Sequence, residues 1–385
     1  MLKKNQSVFL KTFLYSFIPS ILLLAFFNIL VDPFDILHEI KVPRLNAVKV
    51  MVHDNMRLYK AYKVLQKKPP AIFLGSSRVM AGLDPKDLKA ITGEDCYNCG
   101  LSGVVFEDIY EYFLHALYAQ PNLKTVVLGL DSFGFNFYEK REKLPKVLQG
   151  QEPPFLSYFP AIFSYTALKA TLKTLIDNNA GEPKFIFLPN GLVDPLLAEN
   201  STTNPLMGKE LDYIKDIHQN GIYKTFNVDE RALEKFASLV AICKERNINL
   251  KVFINPPQVV YWEAIFQHGY WKCLEDLKRK LANIHPIWDF GGYNIVTTKD
   301  PSLHEFGDLY YECSHFRPLL GRVILDTLFE RNQSSLHFGH LLLPHTVDEQ
   351  LTVMRQERDK WAQAHPDLVS ELEKDLKNET HLVAK

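Results

Sequence analysis

Ser77, His315 and Glu312 are side chains of the three kinds that make a nucleophile, its base and the group that orients the base. A serine hydroxyl attacks a carbonyl well only when an imidazole takes its proton. A carboxylate on the other ring nitrogen holds the tautomer that does so. Ser77 stands in Gly75-Ser76-Ser77-Arg78, directly after the apolar run Ala71–Leu74. Glu312 and His315 stand in Glu312-Cys313-Ser314-His315-Phe316, before the last apolar helical stretch. Between them lies Asn98-Cys99-Gly100-Leu101-Ser102-Gly103, where glycines let backbone amides approach a ligand and serve as oxyanion donors. Asp131 and Asn255 end two further apolar runs. Each piece alone is a weak signal. Their joint occurrence at strand ends, where open α/β sheets build their sites, is what selects them.

The elements that must position these residues follow from periodicity. Ala71–Leu74, Cys96–Asn98 and Thr125–Asp131 read as short buried strands, and 83–92 and 105–120 read as helices. This β-α-β-α-β order predicts a parallel sheet with right-handed crossovers. The alternation returns with a helix at 229–246, a strand at 250–255, a helix at 260–284, a strand at 287–290 and a helix at 318–331. Residues 132–225 lose the pattern and are rich in Pro, Asn and aromatics, so they read as an insertion or cap over the carboxyl edge of the sheet, with one helix near 164–178. Its aromatics Phe155, Tyr158, Phe159, Phe163 and Tyr165 suit either sugar stacking or cap packing. The expected organisation is an anchor at 1–31, a basic membrane-proximal stalk at 32–70, an α/β domain at 71–335 and a charged helical extension at 336–385.

The blocks AIFLGSSR, YNCGLSG and ECSHF resemble the serine, glycine and histidine blocks of the SGNH (GDSL-like) hydrolases. In the first block the family serine falls on Ser77, and Ser76 replaces the family aspartate. The second matches at Asn98, Gly100, Ser102 and Gly103, which puts the oxyanion glycine on Gly103. The last matches at His315, with Glu312 in place of aspartate. The family's third block carries an oxyanion-donating asparagine where this chain has Asp131. An ionised carboxylate only accepts hydrogen bonds, so the amides of Ser77 and Gly103 must suffice or Arg78 or Asn255 must substitute. The resemblance spans roughly residues 70–131 and 245–330, and is nearest to membrane-anchored bacterial envelope members of the alginate-acetylation and teichoic-acid D-alanylation type. It implies a three-layer α/β/α sandwich with a mainly parallel, flavodoxin-like sheet. It also implies ester hydrolysis or O-acyl transfer on an acylated envelope polysaccharide, with a membrane-bound acyl-donor protein as a partner. The competing readings are a catalytically inactive polysaccharide-binding domain and a structural envelope protein.

Composition narrows the classes. The chain has 385 residues, with 44 basic against 45 acidic side chains, which excludes a globally basic nucleic-acid binder. It carries no P-loop or dinucleotide fingerprint, so no cofactor is expected. The histidines 337, 340 and 345 are too loosely spaced to define a metal site, Asp289 reads as a turn residue, and no metal is expected. Five cysteines include Cys96-x-x-Cys99, which permits a disulfide in an oxidising compartment but has no second pair.

Lys3, Lys4 and Lys11 precede a charge-free run of 20 residues, Thr12–Val31. As a helix it spans about 30 Å, the hydrocarbon thickness of a bilayer. The flanking lysines predict a single uncleaved span, rather than a cleaved signal peptide, with its N-terminus cytoplasmic and residues 32–385 outside the cytoplasm. The resemblance implies that the membrane is a bacterial inner membrane and the outer side the periplasm. Protease added to spheroplasts is therefore expected to digest most of the chain, and full protection in intact spheroplasts contradicts this topology.

Overall fold

The structure, a computed structural model, describes residues 2–49, 51–136, 144–149, 156, 158–180, 187–195, 226–299, 304–331, 336 and 338–380. They form two compact units, one of Met1–Gln66 with Leu144–Phe187 and one of Lys67–Lys143 with Leu188–Lys385.

The second unit is α/β and carries all the candidate site residues. Its strands are β1 (Ala71–Leu74), β2 (Cys96–Asn98), β3 (Thr125–Leu130), β4 (Asn249–Ile254), β5 (Ile287–Asp289) and β6 (His340–Leu342). They make one sheet in the order β2-β1-β3-β4-β5-β6, parallel throughout except for β5 with β6. β1 and β3 are buried at every position, as the unbroken apolar runs of a covered parallel strand require. The register sets Leu74 opposite Leu128 and Leu130 opposite Ile254. The loops that leave β1, β3 and β4 therefore open on one edge of the sheet, which brings Gly75–Arg78, Asp131 and Asn255 to that edge.

The nucleophile loop is shaped by close approach. Gly75 has φ +151°, and a Cβ there would meet Val79 Cγ2 at 2.5 Å and the Gly129 carbonyl at 2.7 Å. Helix α4 (Ser77–Gly82) starts two residues later, capped by Ser76, and is followed by α5 (Pro85–Thr92) and, after β2, α6 (Phe106–Ala119).

Residues expected to form one helix at 260–284 form two, separated at Gly269 in the left-handed region with φ +77°. The segment expected as an appended extension is part of this unit. It supplies the edge strand β6 and two long helices, Val347–Ala364 and Pro366–Thr380, the first joined to the Trp271–Ile284 helix by Arg355 and Glu275 at 2.8 Å. Asp289 is more than a turn residue: it is ion-paired with the fully buried Lys278 at 2.5 Å and accepts the Gly291 amide. Cys96 and Cys99 are not bridged.

In the first unit, α1 (Leu2–Val31) is long and apolar enough over Lys11–Val31 to cross a membrane. Lys49 Nζ closes its C-terminus by donating to the Val31 and Asp32 carbonyls at 2.8 Å, a cation where the helix dipole favours one. The expected stalk is folded, with α2 (Met51–Asp54) and α3 (Met56–Lys67) and a buried Tyr59–Val64 stretch. Of the expected cap at 132–225, the described residues between 144 and 187 group with this unit, while 132–136 and 188–195 group with the sheet unit, where the Asn190 carbonyl accepts the Asn98 amide at 2.8 Å. The helices of the 144–187 part run Phe159–Phe163 and Tyr165–Ala180, and Asn178 exchanges hydrogen bonds with the Val48 backbone. Tyr158 packs on Tyr62 and Phe159 on Phe163, while Phe155 lies outside the described residues.

The helix that follows the histidine loop, Pro318–Leu328, meets α4 through glycine. A Cβ at Gly321 would lie 1.8 Å from the Gly82 carbonyl oxygen, and one at Gly82 would enter the Phe316 ring. Gly321→Ala gains up to about 1 kcal/mol of helix propensity but forces the two helices apart at roughly 1–3 kcal/mol or more. The net expectation is a lower denaturation midpoint for the full chain in detergent; an unchanged or raised midpoint refutes this account of the packing.

Candidate active site

Two segments far apart in sequence converge on one hydrogen-bonded line. Ser77 is the first residue of α4, where its own N–H has no intrahelical acceptor. Its Oγ lies 2.8 Å from His315 Nε2. On the other side of the ring, His315 Nδ1 is hydrogen-bonded to Glu312 Oε1. With Nδ1 protonated and donating to Glu312, Nε2 is the acceptor for the Ser77 hydroxyl. That is the tautomer a general base needs. Ser76 is placed differently: it is buried, and its side chain caps α4 by accepting the Arg78 amide at 3.2 Å.

Glu312 organises its own loop. One carboxylate oxygen accepts the Ser314 amide at 2.7 Å and the other the His315 amide at 2.9 Å, a local side-chain to backbone turn. The loop is closed by the Tyr310–Phe316 bridge and by Tyr310 Oη donating to the Pro256 carbonyl at 2.8 Å. Burial pushes the Glu312 carboxyl up, but the charge and hydrogen bond of His315, the Ser314 amide and the Arg78 charge outweigh it and bring it down to about 2. Glu312 is therefore an anion at neutral pH. The Glu312 carboxylate reaches both the ring and two amides.

The glycine block is stitched to the nucleophile helix. Asn98 Nδ2 donates to the Val79 and Leu83 carbonyls, each at 2.8 Å, and its Oδ1 accepts the Gly100 amide at 2.9 Å. Asn98 thus holds the end of α4 and the next turn in place, a supporting role. A Cβ at Gly100 would lie 2.4 Å from the Met80 nitrogen, and the Leu101 amide donates to the Gly75 carbonyl. Gly103 is exposed, at φ +60°, with open space beside it.

The residues considered as substitutes for the missing oxyanion amide are occupied elsewhere. Arg78 is 3% exposed, and its Nη1 is ion-paired with Asp131 Oδ1. Its Nε donates to the Ser314 carbonyl at 3.0 Å and its Nη2 to Ser314 Oγ at 2.9 Å. The guanidinium also lies over the rings of Tyr261 at 4.6 Å and Phe133 at 5.3 Å. Asn255 Nδ2 donates to the Leu130 carbonyl. Asp131 is the counter-ion of a buried arginine, so its charge is paired within the fold. Ser314 and Tyr261 were not singled out in the sequence. The only trace of Ser314 there is its place between Glu312 and His315, and Tyr261 sits in an apolar helical stretch with no distinguishing pattern. Among the described residues no cluster of metal-ligating side chains occurs.

No family model matches the chain, and no curated protein matches it. The geometry of the site therefore carries the functional reading by itself.

Removing one partner of a buried ion pair leaves an uncompensated charge and costs about 3–5 kcal/mol. Asp131→Asn is expected to destabilise the full chain by that order in denaturant unfolding and to release Ser314, which neighbours His315. Turnover of an aryl acetate should fall with it. A variant that keeps both wild-type stability and wild-type rate would show that Arg78 needs no counter-ion here.

Proposed function

We propose that the protein is a membrane-anchored serine esterase or O-acyltransferase of SGNH type, acting on an acylated glycan of the bacterial envelope. The observation that carries this reading is the continuous hydrogen-bonded line from Ser77 through His315 to Glu312. It is supported by the five parallel strands in the order 2-1-3-4-5, the flavodoxin-like order, from which we infer helices on both sheet faces in a three-layer sandwich. The apolar α1 supports attachment to the inner membrane with the catalytic unit on the periplasmic side.

In this mechanism Ser77 Oγ attacks the acyl carbonyl as its proton passes to His315 Nε2. The backbone amides of Ser77 and Gly103 face the oxyanion. The tetrahedral intermediate collapses by breaking the ester C–O bond, and the imidazolium gives its proton to the departing alcohol. Ser77 then carries the acyl group as an ester. Water or a sugar hydroxyl attacks that ester, again with His315 taking and returning the proton, and free Ser77 is restored. Hydrolysis and transfer differ only in this second acceptor.

A fluorophosphonate probe tests the nucleophile. Ser77→Ala is expected to abolish labelling, while Ser76→Ala should leave it in place with some loss of stability, since Ser76 is a cap worth about 1 kcal/mol. A wild-type chain that never labels but retains acylated polysaccharide on a pull-down would instead favour the inactive, glycan-binding reading.

A further inference from the structure

The two helices of the first unit that follow α1 in space, α7 (Phe159–Phe163) and α8 (Tyr165–Ala180), are apolar on the wrong side for water. The buried face of α8 is Ala167, Ala170, Thr171 and Thr174, all small or hydroxylated. Its exposed face includes Tyr165 at 68%, Leu172 at 51% and Ile176 at 67% exposure, and Phe159 and Phe163 of α7 are exposed as well. A helix in water buries its large apolar residues and exposes its polar ones. The reverse arrangement, with small residues between helices and large apolar ones outward, is that of helices packed in lipid.

The contacts with α1 make the same point independently. Ala25, Asn28 and Val31 form a buried stripe on the C-terminal half of α1, while residues 11–20 are exposed on all sides. Asn28 is completely buried, three residues before the end of the apolar run, or about 4.5 Å from it at the helical rise. Its Nδ2 donates to the Ile162 carbonyl at 2.7 Å, and its Oδ1 accepts from Thr171 Oγ1 at 2.7 Å. The Ile162 carbonyl is at the end of α7, where no intrahelical donor remains. In hydrocarbon such a carbonyl must find a partner inside the protein, and Asn28 provides it. At the outer end of α8 the contacts become polar: Asn178 bonds the Val48 backbone, Asn179 the Arg44 carbonyl, and Lys173 lies 3.8 Å from Asp54. Lys169, on the exposed face, folds over the Tyr165 ring at 4.6 Å, a cation–π contact.

We propose that α7 and α8 are a second membrane-inserted element. They would be seated in the leaflet at the C-terminal end of the α1 span, with Phe159, Phe163, Leu172 and Ile176 against lipid acyl chains. The proposal rests on reading α1 as a membrane span. The occupant is lipid because the exposed apolar side chains continue alongside α1, whose residues 11–20 are exposed on all sides, and because the hydrogen-bonded polar contacts lie at the helix interface and the outer end.

The test is tryptophan quenching of the full chain in lipid nanodiscs, with and without brominated acyl chains. Single variants are compared with the wild type, whose four tryptophans give the background. Tyr15→Trp probes the span, Leu172→Trp the second element and Tyr118→Trp an exposed position of the sheet unit. Tyr15→Trp and Leu172→Trp are expected to lose their added emission in brominated discs and to resist acrylamide, and Tyr118→Trp to do the opposite. Ile176→Trp repeats the measurement should Leu172→Trp fail to fold. Quenching of Tyr15→Trp by bromolipid with Leu172→Trp open to acrylamide overturns the proposal and leaves the span intact. That outcome covers a face that meets water or a protein absent from the disc. No bromolipid quenching at either position overturns the span reading and the proposal together.

Discussion

The Arg78 guanidinium is the constraint on which the rest of the site depends. It is the residue after the nucleophile, so its backbone belongs to α4, while its side chain reaches Asp131 beyond β3 and Ser314 in the histidine loop. A charge at 3% exposure costs several kcal/mol to desolvate unless it is paired and hydrogen-bonded. Meeting that demand ties three segments, 53 and 236 residues away in sequence, to one group. The serine and the histidine are thereby fixed by the same cation.

The histidine loop then needs little further support. Glu312 accepts two amides of its own turn and the imidazole, so one anion sets the loop conformation and the ring orientation together. Phe316 anchors the loop by packing in the core beside Phe73, Val127 and Phe253, and against Gly82 of the nucleophile helix. Core packing and the geometry of the Ser77–His315–Glu312 line are therefore not separate here: the ring that fills the core is the next residue after His315.

The strands and long helices were legible because burial writes a period into them. β1, β2 and β3 and the helices at 106–119 and 230–245 lie within a residue or two of their expected bounds. Ser77 follows β1 at the carboxyl edge of the sheet, while Glu312 and His315 reach it from a loop between two helices, a placement that strand ends alone do not give. What the sequence hid was side-chain commitment. Nothing in Gly-Ser-Ser-Arg says that Arg78 turns inward, or that Asn98 spends its amide on the Val79 and Leu83 carbonyls. β6 is three residues long, too short for alternation to register, and Gly269 divides a stretch whose apolar period otherwise continues. The described insertion divides between the two units, because aromatic, proline-rich sequence signals a surface to be covered but not which surface. Asn28, an unremarked polar residue in an apolar run, is what joins it to α1.

Asp131 takes on a different meaning once its partner is known. On the proposed family reading this position holds an amide that donates to the oxyanion, and losing one such donor typically costs about 2.7–4 kcal/mol in the transition state. An amide here could accept a hydrogen bond from Arg78 but not neutralise it, and without an anionic partner a guanidinium buried against Tyr261 and Phe133 would be left uncompensated. The inward arginine and the carboxylate are thus one coupled feature. On that proposed reading the oxyanion role falls to backbone amides, which titrate nowhere near neutral pH and are held by the turns that Gly75 and Asn98 fix. Arg78, freed from contact with the reacting atoms, contributes by holding the Ser314 neighbour of the base.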